Sequence, residues 1–145
     1  MAGARRERMV LPAALAGALM GWAAHAETIA LTAELSPAAE VPPVDSRGEG
    51  SAEVSYDTDT GILTWTITFA GLTSAVSAAH FHGPASPGEN GPIVVPLEDL
   101  DSPAAGTATL TDEQAGQLLS EQLYLNFHTP AFPGGEIRGQ VVLAE

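Results

Sequence analysis

The chain has 145 residues, with 18 Asp plus Glu against 5 Arg and no Lys, a formal net charge of −13, and no Cys. That length holds one domain and little more. Such a charge excludes a phosphate-binding nucleic-acid surface. The lack of Cys excludes disulfides, thiolate metal sites and cysteine nucleophiles. Hydrophobic residues make up 45% and aromatics 6%, so the chain is no disordered acidic tail and its core must be mainly Ala, Val, Leu and Ile.

Residues 1–26 read as a secretory signal peptide. Arg5, Arg6 and Arg8 open it, an apolar run extends from Met9 to Ala24, and Ala24-His25-Ala26 forms a small-x-small cleavage site. The run is short for a membrane span, which takes about 20 apolar residues. The leader carries a net +2, so cleavage leaves residues 27–145 at −15, with Arg47 and Arg138 as the remaining cations. A Cys-free exported chain points to a bacterial periplasmic or extracellular protein. The expected division is therefore 1–26 leader and 27–145 domain, with no membrane span in the mature chain.

From Thr28 onward, apolar and polar residues alternate with the period of a half-buried strand. Ile29, Leu31, Ala33 and Leu35 mark one strand, Ala52, Val54 and Tyr56 a second, and Leu63, Trp65, Ile67 and Phe69 a third. Asp57-Thr58-Asp59-Thr60-Gly61 joins the last two as a hairpin turn. Further strands are expected at Val76–His82, Pro92–Leu97, Gly106–Leu110, Leu123–His128 and Glu136–Leu143. One helix interrupts them, with Thr111 and Gln114 as a capping box and Ala115, Leu118 and Leu119 on its buried side. The predicted fold is all-β: an antiparallel, Greek-key-like sandwich or barrel of about eight strands, with a short helix closing one end.

The three His after the leader are His80, His82 and His128. In His80-Phe81-His82 the period of two sends Phe81 into the core and both imidazoles outward. In Leu123-Tyr124-Leu125-Asn126-Phe127-His128 the same rule turns Tyr124, Asn126 and His128 outward. If the two strands are neighbours, the three imidazoles converge. Imidazole suits Cu and Zn, and a strand supplies ligands from a rigid element. The ordinary alternative is three surface His hydrogen-bonded to backbone. Each motif runs into a Pro/Gly loop, His82 to Pro92 and Thr129 to Glu136, and both loops could wall the site.

Other chemistries lack their residues. There is no G-x-S-x-G elbow for a hydrolase. Asp57–Gly61 lacks the downstream Glu of a calcium loop. Glu98-Asp99-Leu100-Asp101 reads as a solvated acidic cluster.

Four segments in order, Ala39-Glu40-Val41-Pro42-Pro43, Ala79–Ala85, Leu123–Thr129 and Pro133–Gly139, resemble the CHRD (chordin) domain family over roughly Ile29 to Leu143. The resemblance implies an extracellular-type binding module, with an unidentified protein partner. Gly71-Leu72-Thr73 through His82, with Leu125–His128, is also similar to Cu/Zn superoxide dismutases. That second resemblance implies copper ligation by His80, His82 and His128 and an anion contact at Arg138. It departs from the pattern in having no bridging His, no complete zinc site and no disulfide. Three readings follow: a binding module holding one copper ion, a copper-only dismutase-like enzyme, or a purely structural envelope protein. A charge of −15 opposes steering of superoxide, and an Arg138–carboxylate pair to Glu136 or Glu40 is the bland role for that residue.

Overall fold

The computed structural model describes residues 27–145, so the predicted leader lies outside the described residues. Among the described residues, nine antiparallel strands form two sheets. The first sheet has the order β6-β3-β2-β1-β9, with β1 at Thr28–Leu35, β2 at Glu49–Asp57, β3 at Ile62–Ala70, β6 at Ala104–Thr109 and β9 at Val142–Leu143. The second has the order β5-β4-β7-β8, with β4 at Ala78–His82, β5 at Ile93–Pro96, β7 at Tyr124–Thr129 and β8 at Phe132–Gln140. The chain changes sheet at β3–β4, β5–β6, β6–β7 and β8–β9. This is the expected all-β sandwich.

The alternation read from sequence is the alternation observed. Leu31, Ala33 and Leu35 on β1, Ala52, Val54 and Tyr56 on β2, and Leu63, Trp65 and Ile67 on β3 are all buried. They meet Phe81, Leu125, Phe127 and Ile137 from the second sheet in one apolar core. Trp65 packs edge-on against Phe81 with centroids 5.2 Å apart, and Phe69 tilts against Phe127 at 5.0 Å. These few rings fill space between many small aliphatic residues.

The local signals also hold. Asp57 Oδ1 accepts from the backbone N–H of Asp59 and Thr60, and Gly61 takes φ +73°, so the hairpin is built as the residues require. Helix α1 spans Asp112–Leu119, and Thr111 and Gln114 cap each other reciprocally. The Thr111 cap is exposed and local, so Thr111→Ala should lower unfolding free energy by about 1 kcal/mol in urea denaturation, with the m-value unchanged.

Some details differ from the sequence expectation, among them the start of β4, at Ala78 and not Val76. The final strand splits: β8 ends at Gln140 and β9 returns to the first sheet, because Val141 is fully buried between them. Strand β6 begins at Ala104, two residues early. Residues Thr129–Glu136 are not a loop. The chain turns tightly at Pro130-Ala131 and enters β8 at Phe132. The register shifts there, with Phe127 opposite Ile137 but Thr129 opposite Phe132, and the extra residues of β8 bulge outward.

One side of the sandwich is stitched shut. Beyond β1, Ser36 exchanges both backbone hydrogen bonds with Arg138 of β8, at 2.9 and 3.1 Å. The backbones lie so close that a Cβ at Gly139 would collide with the Glu34 carbonyl. This seam fixes where Arg138 stands relative to β7.

Candidate functional site

Strands β4 and β7 are hydrogen-bonded neighbours, with Ala78 opposite His128, His80 opposite Asn126 and His82 opposite Tyr124. Phe81 is fully buried, and its two flanking imidazoles leave the core on the other face. His128 lies diagonally across from His80 on that same face. Ring centroids are 5.2 Å apart for His80–His82, 5.1 Å for His80–His128 and 6.4 Å for His82–His128. One nitrogen from each ring lies within 4.8 Å of the others. Metal–imidazole bonds of about 2 Å put any two such nitrogens within roughly 4 Å of each other, so small ring rotations close the remaining gap.

Hydrogen bonds distinguish the two nitrogens in two of these rings. His82 Nδ1 lies 3.0 Å from the Gly91 carbonyl, and His128 Nδ1 lies 2.9 Å from the Pro133 carbonyl. A carbonyl only accepts, so in neutral rings both Nδ1 atoms carry the proton and both Nε2 atoms carry a bare lone pair. Those two Nε2 atoms and His80 Nδ1 are buried without a hydrogen-bond partner. Among the described residues the only other buried side-chain nitrogen or oxygen in that condition is Trp65 Nε1. A buried polar atom left unpaired is costly, and here three of them belong to three adjacent imidazoles.

Burial pushes the His80 ring below the ordinary His range, and the His128 and His82 rings add to this. Burial also lowers His82. The Gly91 carbonyl opposes that shift, while His128 and Arg138 reinforce it. Both rings therefore favour the neutral form that a metal requires.

The outer face around the cluster is roofed. Tyr124 and Asn126 point outward from β7 yet are only 2% exposed. The loop 83–92 lies over Tyr124, whose hydroxyl contacts the N–H of Gly91 at 3.1 Å and its carbonyl at 3.3 Å. The segment after the short turn Pro37–Ala39 lays Glu40 over Asn126, whose amide nitrogen donates to Glu40 Oε1. Gly135, at φ +124°, leaves room for that contact, since any side chain there would overlap Asn126 and Glu40.

Arg138 is buried at 6% exposure. Its Nε pairs with Glu40 Oε2 at 3.2 Å, Nη1 donates to the Glu89 carbonyl at 3.0 Å, and Nη2 donates to Asn90 Oδ1 at 2.8 Å. Its guanidinium carbon lies 4.3 Å over the Tyr124 ring. Burial raises the Glu40 carboxyl while Arg138 and Asn126 pull it back. Glu136, the other partner weighed from sequence, goes elsewhere. The β8 bulge directs it to Ser46, Thr73 and Thr129.

Sequence reasoning named the three His, which the fold brings together, and Arg138, for which Glu40 was one of two partners weighed. It missed Gly91, Pro133 and the burial of Tyr124 and Asn126. The positions of Tyr124 and Asn126 on the His face were a signal; the loop paths that cover them had none. A cleft of about 430 Å³ lies on the Glu40 side of Arg138, between 38–43 and 86–89, and includes none of the three His.

Among the described residues, no helix is long and apolar enough to cross a membrane. No curated protein and no solved structure matches the chain, so the likeness to superoxide dismutases rests on its short motifs alone. Residues 31–141, most of the chain, match the CHRD domain, and the chain belongs to the CHRD domain family.

Proposed function

We propose that this chain is an exported binding module that holds one copper ion through His80 Nδ1, His82 Nε2 and His128 Nε2. In this reading residues 1–26 are a cleaved leader and 27–145 are the CHRD domain, acting in the periplasm or outside the cell. The observation that carries the metal is three imidazoles that bring one nitrogen each within 4.8 Å of the others, and that each hold one buried, unpartnered nitrogen. The all-imidazole donor set suits copper and zinc alike, and copper is favoured by the general order of divalent affinities. A bound ion would satisfy all three nitrogens at once.

The test is copper loading of the purified chain. Metal analysis should return about one Cu per chain, and EPR should show Cu(II) in a nitrogen-rich environment. A protein that passes through a desalting column without copper would overturn the metal site.

A dismutase-like activity is the second reading, because Arg138 lies over the Tyr124 ring, which itself stacks on His82. Arg138 would then hold the anion. Its bonds to Glu40, Glu89 and Asn90 and the charge of −15 favour binding over catalysis. Copper-loaded protein that dismutes superoxide no faster than buffer would leave the binding module standing.

A further inference from the structure

The residues behind His82 form a chain of contacts that runs through Tyr124 to Arg138. The Tyr124 ring lies flat on the His82 ring, with centroids 4.9 Å apart and planes 3° from parallel. Its hydroxyl holds the N–H and carbonyl of Gly91, the carbonyl that also accepts from His82 Nδ1. Arg138 lies over the Tyr124 ring and holds the two residues just before Gly91, through the Glu89 carbonyl and the Asn90 side chain. Glu89, Asn90 and Gly91 are thus pinned at three successive points, and Gly91 is the point that touches His82.

Stability alone does not account for this construction. A buried Arg–carboxylate pair is often matched or exceeded by well-packed apolar residues of the same volume. The arrangement does deliver a carbonyl at a set position. Without that carbonyl nothing among the described residues selects the His82 tautomer, and an imidazole protonated on Nε2 presents no lone pair to the cluster. His128 obtains the same service from Pro133, independently of Tyr124 and Arg138.

We infer that Tyr124 and Arg138 are positioning residues for His82: they fix the Gly91 carbonyl, and through it the ring orientation and tautomer that leave Nε2 bare. The consequence for copper rests on the proposed metal site, whereas the tautomer does not.

The experiment uses the full chain without metal, and then with Cu(II). Long-range ¹H–¹⁵N spectra of the imidazoles report each tautomer. In the parent protein His82 should be protonated on Nδ1. In Tyr124→Phe, which keeps the stacked ring and removes the hydroxyl, His82 should shift toward a mixture of tautomers while His128 stays unchanged. Arg138→Lys, which keeps the charge but loses the fork, should do the same. With Cu(II), both variants should bind about 10- to 100-fold more weakly, the usual range for groups that orient a metal ligand. An unchanged His82 tautomer in Tyr124→Phe overturns the inference, even if Arg138→Lys fails to fold. A parent protein that takes up no copper overturns the metal site instead, and the spectra still decide the positioning role.

Discussion

Replacing His82 or His128 by Ala should weaken Cu(II) binding by at least about 100-fold, since orienting groups one bond removed from a ligand already cost 10- to 100-fold. Replacing His80 should cost less. The difference follows from how the rings are held. His82 and His128 are each anchored to a backbone carbonyl, so their Nε2 atoms are preorganised before metal arrives. His80 Nδ1 has no hydrogen-bond partner among the described residues, and the contribution of this ring is reduced by the ordering it must undergo on binding. Isothermal titration with Cu(II) against a competing chelator gives the ranking. Equal losses at all three positions would show that the carbonyl anchors do not matter to affinity, and no loss at any would remove the site.

Glu136→Ala is the substitution expected to harm the fold most. Glu136 is fully buried and forms no salt bridge among the described residues. Instead its carboxylate accepts from Ser46 Oγ at 2.7 Å, Thr129 Oγ1 at 2.8 Å, the Thr73 N–H at 3.0 Å and the Thr73 hydroxyl. It thereby ties the 44–48 and 71–77 segments to the end of β7. Truncation leaves four donors facing a void, a loss on the order of 3–5 kcal/mol. For a domain of this size that corresponds to a melting temperature lower by roughly 10–20 °C. Glu136→Gln keeps one acceptor and should lose less.

The same residue predicts an acid response. Burial would raise the Glu136 carboxyl, but the hydrogen bonds from Thr73, Ser46 and Thr129 together hold it below its ordinary value of 4.5. A carboxyl lowered on folding stabilises the native state fully above the unfolded value, and that stability is lost as pH falls through the folded value. The parent protein should therefore lose stability below about pH 4.5 more steeply than Glu136→Gln, which has no proton to take up there. Parallel pH–stability curves for the two proteins would reveal no difference if Glu136 is not ionised.

Much of this was legible in the sequence because it depends on short-range periodicity. Phe81 between two His can face only one way if the strand buries its apolar side, and Leu125 and Phe127 place His128 by the same rule. The Thr111–Gln114 box and the Asp57–Gly61 turn are local hydrogen-bond chemistry, and both formed as written. What was not legible depends on residues distant in the chain. Glu40 and Glu136 were both reasonable partners for Arg138, and the choice is made by a bulge in β8 whose cause is a register shift against β7. Tyr124 and Asn126 read as exposed because alternation assigns a face, not what lies above it. The burial of both follows from the routes of loops 36–44 and 83–92, which are set by packing across the outside of the second sheet. The two anchoring carbonyls belong to Gly91 and Pro133, whose side chains announce nothing about a backbone oxygen.

The short strand β9 runs antiparallel to the start of β1, with Leu143 beside Leu31 and the Ala144 N–H bonded to the Ala30 carbonyl. The two ends of the folded domain therefore emerge side by side from the first sheet, on the opposite layer from the imidazoles. A unit whose entry and exit points are adjacent can be spliced into another polypeptide, joined in tandem or circularly permuted at small conformational cost. In every such arrangement the histidine-bearing layer would still face away from the splice.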